Sequence, residues 1–195
     1  RRVVKDLLKE LNLDDKTFPP KNVLSVISAA KDQYQSPEDF SKKHSAESDW
    51  RLSRIAKIYA AYQKKLASAN ALDFDDIIYH TVTLLRQEPE VLDYYQQKFR
   101  YVLVDEYQDT NHLQYLLTSL LAGGRKNLCV VGDDDQSIYR FRGANIENIL
   151  NFERQYENAR VIRLEQNYRS TQNILDAANA VIRNNTGRKG KTLWT

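Results

Sequence analysis

The chain of 195 residues carries 29 Lys+Arg against 26 Asp+Glu, a net charge of +3, with 42% hydrophobic and 28% charged residues. This balance is too apolar for a disordered chain and too charged for a membrane-embedded one. The longest uncharged stretch, 110–124, is broken by Asn, His, Gln and Ser and falls short of a bilayer span.

The first half reads as helices. Val3, Val4, Leu7, Leu8 and Leu11 recur at helical spacing, as do Val23, Val26, Ile27, Ala30 and Tyr34, with Phe18-Pro19-Pro20 between the two sets. Ser36 followed by Pro37 predicts the start of a short third helix. A long helix is expected from about Glu47 to Ser68, with Trp50, Ile55, Ile58, Tyr59, Tyr62 and Leu66 on its apolar side. Asp73-Phe74-Asp75-Asp76 caps another through Leu85, because carboxylates favour the positive N-terminal end of a helix. Pro89 opens one more, to about Phe99. No strand-like alternation occurs in these first 98 residues.

The second half changes character. Tyr101–Val104 and Leu128–Val131 are short apolar runs with β-branched residues, and Val161–Leu164 is a third, weaker one. Helical patterns over 112–121 and 145–156 separate them, and a last helix carries Ile174, Leu175, Ala178, Val181 and Ile182. Strands alternating with helices predict a parallel sheet buried on both faces, with ligands at the carboxyl ends of its strands. Cys129, the single cysteine, reads as a small core residue of the second strand and permits no internal disulfide.

The charge is partitioned. Residues 1–65 hold 14 basic and 9 acidic side chains, 66–120 hold 3 and 9, and 121–195 hold 12 and 8. An acidic middle between basic flanks suits a metal or catalytic centre beside an anionic polymer; solvated helix faces explain it equally. His44, His80 and His112 have no second ligand at metal spacing. Arg183, Arg188, Lys189 and Lys191 read as a solvated tail rather than a phosphate contact.

Each expected strand end carries reactive chemistry. Asp105-Glu106 follows the first, in the Walker-B arrangement: one acid to hold Mg²⁺, the next to orient or deprotonate an attacking water. The plainer reading makes them a cap for the next helix. The second strand leads into Gly132, which lets the chain turn out of the sheet, and then Gln136, which can donate and accept at a γ-phosphate. Tyr139-Arg140-Phe141-Arg142 interleaves rings and cations, as in loops that bind single-stranded nucleic acid, where each stacked base contributes roughly 1–3 kcal/mol. Core packing of Tyr139 and Phe141 is the alternative. After the third strand, Arg169 offers a permanent planar cation to a phosphoryl group and Tyr168 a ring for a nucleobase. The plainer reading is a helix start capped by Ser170 with Arg169 in solvent.

DEYQDTN, VVGDDDQSIYRFRGA and LEQNYRST, in that order and spacing, resemble superfamily 1 DNA helicases of the UvrD/Rep/PcrA type, and Ala71-Leu72-Asp73-Phe74-Asp75-Asp76 resembles a further segment of that family. The resemblance covers essentially the whole chain and is weakest over residues 1–65. It implies an α/β fold: an inserted helical subdomain over 1–98, the second half of a RecA-like, P-loop NTPase-type domain over 99–166, and the start of a second RecA-like domain over 167–195. It also implies that Asp105 is the Mg²⁺ acid and Glu106 the general base for ATP hydrolysis. Gln136 would couple the γ-phosphate to DNA, with Tyr139 and Phe141 stacking on single-stranded bases beside Arg142. Tyr168 would stack on adenine and Arg169 would touch the γ-phosphate. Many relatives carry Trp where this chain has Phe141, whose smaller face predicts weaker grip on that base.

The implied activity is a cytoplasmic, ATP- and Mg²⁺-dependent helicase or translocase moving 3′→5′ on single-stranded DNA and unwinding duplex in repair or replication. A Mg²⁺ nuclease using Asp105, Glu106 and Asp109, and a non-catalytic DNA-binding module, are the other classes these residues permit. The phosphate loop G-x-x-x-x-G-K-[ST] does not occur in the 195 residues; Gly190-Lys191-Thr192 mimics its end, but Asn185 stands where its first glycine belongs. With the opening Arg1-Arg2-Val3, this reads as an internal piece of a helicase, inactive as an ATPase by itself.

Overall fold

The computed structural model describes residues 1–44, 49–137, 143–185 and 188–195. The chain forms two compact units, residues 1–102 with 111–128, and residues 103–110 with 129–195.

The first unit is helical. It contains α1 (Arg2–Glu10), α2 (Pro20–Asp32), α3 (Pro37–Lys43), α4 (Trp50–Ser68), α5 (Phe74–Gln87), α6 (Pro89–Lys98) and α7 (His112–Ala122). Val4, Leu7 and Leu8 of α1, Val23 and Ile27 of α2, Phe40 of α3, and Ile55, Ile58 and Tyr59 of α4 bury into one core. The expected starts hold: Ser36 caps α3 through a capping box with Asp39, and Asp73 caps α5 through one with Asp76. The start of α4 is Trp50, capped by Asp49; the expected Glu47 lies outside the described residues. Three helices end alike. After α1, α2 and α4 the chain turns through Asn12, Tyr34 and Asn70 at positive φ. The next amide reaches back to a helix carbonyl, Leu13 to Leu8, Gln35 to Ala30 and Ala71 to Leu66. These paired closures satisfy carbonyls that a helix end otherwise leaves open.

A polar knot lies inside this helical unit. Lys31 and Asp76 are both 0% exposed. Lys31 Nζ sits 2.6 Å from Asp73 Oδ2 and 2.7 Å from Asp76 Oδ1, Tyr62 donates to Asp73, and Gln63 donates to Asp76. Burial pushes the Asp76 carboxyl up, but bonds from Lys31, the Asp73 amide and Gln63 outweigh it and hold it below the usual carboxylate range.

β1 (Val102–Val104) and β2 (Leu128–Val130) form a parallel two-stranded sheet joined through α7. The expectation of a sheet buried on both faces fails: the middle residues Leu103, 75% exposed, and Cys129 face solvent. Alternation in a strand sends neighbours to opposite faces, so Cys129 is a surface residue rather than a core one. The expected strand at 161–164 is also absent, and Ile162 and Leu164 are exposed. A strand needs a neighbouring ladder, and pairing begins only at the Glu165 carbonyl, which accepts from the Trp194 amide where Gln166 bridges Trp194 in parallel.

In the second unit the helix expected over 145–156 is two single turns, α8 (Glu147–Leu150) and α9 (Phe152–Gln155), broken at Asn151. Asn151 turns its amide back onto the Glu147 carboxylate, the local competition that makes Asn a poor helix interior. α10 (Gln172–Ile182) closes the order. No helix among the described residues is long and apolar enough to cross a membrane.

Candidate functional site

The acid pair sits where β1 ends. Asp105 and Glu106 are both exposed, and the Glu106 amide donates to Asp105 Oδ1 at 2.9 Å. Glu106 has φ 50° and ψ 41°, a left-handed backbone. Of the other positive-φ non-glycine residues, Asn12, Tyr34 and Asn70 close helices and Lys126 bonds back to the end of α7, whereas Glu106 leaves a strand. A non-glycine residue there costs on the order of 1–2 kcal/mol, and such strain gathers at sites that need a side chain aimed. The helix-cap alternative fails: Asn111 caps α7 by a capping box with Gln114, while its Nδ2 donates to Asp32 Oδ1 at 2.7 Å in the helical unit.

Gln108, two residues on, is 1% exposed and was not singled out by sequence. Its Nε2 donates to Glu106 Oε2 at 2.8 Å, and its Oε1 accepts the Asp133 amide at 2.9 Å. Asp133 Oδ2 in turn accepts from Gln136 Nε2 at 2.9 Å. One side chain therefore joins the acid pair of β1 to the loop after β2. The backbone pairs too: Val131 donates to Val104, and Tyr107 donates to Val131. Gly132 is needed for close approach rather than for a turn. A Cβ there would lie 2.6 Å from Gln108 Oε1 and 2.8 Å from Ile149 Cδ1. Beneath, Tyr107 is buried edge-on to Phe152, and buried Asn148 donates to the Thr110 carbonyl and hydroxyl. Gln108 and Asn148 each lie in a single short turn of helix, too brief for a periodic pattern to reveal them.

Tyr139, Phe141 and Arg142 lie outside the described residues. Tyr168 is 85% exposed and donates its hydroxyl to Gln166. Arg169 is exposed, on a turn made by Asn167 Oδ1, which accepts from the Arg169 and Ser170 amides. Ser170 is not the helix cap; Thr171 takes that position at the start of α10. Among the described residues no contact joins Tyr168 or Arg169 to the acid pair.

Of the tail expected to be solvated, Arg183 is exposed, whereas Arg188, Lys189 and Lys191 are docked. Arg188 donates from Nη2 to Asp135 Oδ2 at 2.7 Å, and its Nε lies 2.6 Å from Asp135 Oδ1, off the direction of its N–H. The Lys189 amide donates to Asp134 Oδ2 at 2.6 Å, and Lys191 pairs with Asp133. Burial pushes the Asp133 carboxyl up, but Lys191 and Gln136 outweigh it and hold it below the usual range. Asp133, Asp134 and Asp135 stand close enough together to hold a cation, yet all three already face these donors. The acids that hold these tail residues lie 53, 55 and 58 positions upstream, beyond the reach of any local pattern. For Mg²⁺ the fitting donor is Asp105, an exposed hard oxygen ligand beside a second carboxylate.

The acids at the end of β1 are thus tied by hydrogen bonds to the glutamine-bearing loop after β2. The UvrD/REP helicase N-terminal domain matches residues 1–157, and the UvrD-like helicase C-terminal domain matches 162–195. The chain belongs to the UvrD/REP helicase family. It is 56% identical over 193 residues to the ATP-dependent DNA helicase PcrA of Bacillus subtilis (strain 168), covering 99% of this chain and 26% of that protein. It is 53% identical over 195 residues to the PcrA helicases of Staphylococcus epidermidis (strain ATCC 12228 / FDA PCI 1200) and Staphylococcus aureus (strain NCTC 8325 / PS 47), covering 100% of this chain and 26% of each. The chain thus spans about a quarter of the length of these relatives.

Proposed function

We propose that this chain is the part of a cytoplasmic, ATP-driven DNA helicase that carries its hydrolytic acids and its DNA-coupling loop. The observation that carries the reading is the Glu106–Gln108–Asp133–Gln136 chain of hydrogen bonds, which links a water-activating carboxylate to a loop suited to sensing DNA. In this reading residues 1–98 are the inserted helical subdomain, 99–166 the second half of a RecA-like domain of P-loop NTPase type, and 167–195 the start of the next. The solvent-facing Leu103 and Cys129 are then the face that further elements of a RecA-like domain would cover.

Asp105 would hold Mg²⁺, which when bound would supply neutralisation of the phosphate charge. Glu106 takes the proton of the attacking water, Gln136 reads the γ-phosphate, and Arg169 stabilises charge on the transferring group. Tyr168, already exposed, stacks on adenine, and Tyr139, Phe141 and Arg142 grip single-stranded DNA, with movement 3′→5′ and duplex unwinding in repair or replication.

The test uses the full-length protein that carries this chain. Glu106→Gln should lower DNA-stimulated ATP turnover by about 10²–10⁴-fold with nucleotide and single-stranded DNA binding retained. Arg169→Ala should lower turnover with DNA binding unchanged in the absence of nucleotide. Normal turnover in Glu106→Gln would remove it as the base, and Mg²⁺-dependent phosphodiester cleavage would favour a nuclease instead.

A further inference from the structure

We infer that Gln108 is a positioning residue for ATP hydrolysis: it aims the Glu106 carboxylate and transmits the state of the loop after β2 to it. The inference rests on the reading of Glu106 as the general base. Gln108 is 1% exposed, and both ends of its amide are engaged in opposite senses. The Asp133 amide can only donate, so the facing atom of Gln108 must be its oxygen; the nitrogen is then forced towards Glu106, where only an acceptor fits. The orientation follows from the bonding itself. A carboxylate two residues away on a left-handed backbone has few other restraints: Glu106 is exposed, and the Gln108 bond is the one hydrogen bond to its side chain among those described.

The far end of the link is equally constrained. The Asp133 amide that Gln108 accepts belongs to the residue whose carboxylate receives Gln136 Nε2, so a shift of that loop moves the Gln108 amide and, through it, the base. Space at Gly132 is reserved for this side chain, since a Cβ there would meet Gln108 Oε1 at 2.6 Å. A glutamine placed only for packing would need neither the donor at one end nor the cleared space at the other. The inference gives a physical route by which DNA held by the loop governs hydrolysis: the carboxylate is aimed when the loop is seated and loose when it is not.

Gln108→Glu tests this in the full-length protein. The variant keeps length and the acceptor for the Asp133 amide, but loses the donor to Glu106 and sets a like charge against it. DNA-stimulated kcat should fall roughly 10–100-fold, the loss that misplacement of a catalytic group by about 1 Å produces. KM for ATP and the Kd for a single-stranded oligonucleotide should stay within about two-fold, because neither ligand is bound by Gln108. Gln108→Met, apolar and of similar length, removes both bonds without repulsion. It should show the same split, and it is the variant read if Gln108→Glu does not fold. Normal stimulated kcat in the folded variant, or parallel loss of kcat, ATP binding and DNA binding in both, overturns the inference. Glu106→Gln measured alongside separates the two ideas: full turnover there defeats the base assignment, whereas loss there with normal turnover in Gln108→Glu defeats only the role of Gln108.

Discussion

Replacing Lys31 by Met asks what holds the polar knot of the helical unit. Its ammonium lies 2.6 and 2.7 Å from two carboxylates, and neither Lys31 nor Asp76 touches solvent. At an effective dielectric of about 20, each contact represents roughly 6 kcal/mol of attraction, most of which offsets the desolvation of the ions. Met keeps much of the apolar stem, so the expected loss comes from an Asp76 carboxylate left buried and uncompensated, about 3–5 kcal/mol. Urea unfolding of this chain, followed by far-ultraviolet circular dichroism at pH 7, measures it. The pH dependence should also shift. In the parent, Asp76 lies below its ordinary value, so its contribution is present above about pH 4 and is lost as pH falls through the folded value. Without Lys31, burial is opposed only by the bonds from the Asp73 amide and Gln63, so the Asp76 carboxyl moves up and its contribution is lost at a higher pH than in the parent. Lys31→Met with Asp76→Asn should recover most of the loss, because the buried charge is gone. A loss below about 1 kcal/mol, or no recovery in the double variant, would refute the account.

Gly132→Ala should cost about 1–3 kcal/mol by crowding and should push Gln108 off the Asp133 amide. DNA-stimulated turnover in the full-length protein should then fall as it does for Gln108→Met, and a variant with normal turnover would show that the cleared space is not used. Arg188→Ala should release the docked tail. In a Trp50→Phe background, Trp194, paired with Gln166 and Asn167 through its backbone, should show red-shifted fluorescence; unchanged emission on the Arg188→Ala change would mean that the ion pair does not hold the tail.

Much of this protein is legible in its sequence because it depends on local rules. Pro37 and Pro89 set helix starts, Ser36 and Asp73 satisfy the amides that follow them, and apolar residues at helical spacing mark the faces of α1, α2 and α4 that bury together. The three motif segments likewise stand in plain order, and they led to the family that the family models match. What only the tertiary structure decided are the partnerships between segments. Val161–Leu164 has strand composition but no ladder to join, Cys129 lies in a strand yet on its open face, and the basic tail finds its acids more than fifty residues away. Gln108 is the clearest case. Its amide could serve any donor or acceptor, and only the approach of β1 to β2 determines that it joins Glu106 to Asp133. Propensity acts within a few residues along the chain, whereas hydrogen-bond partners and burial are assigned by whatever the fold brings alongside.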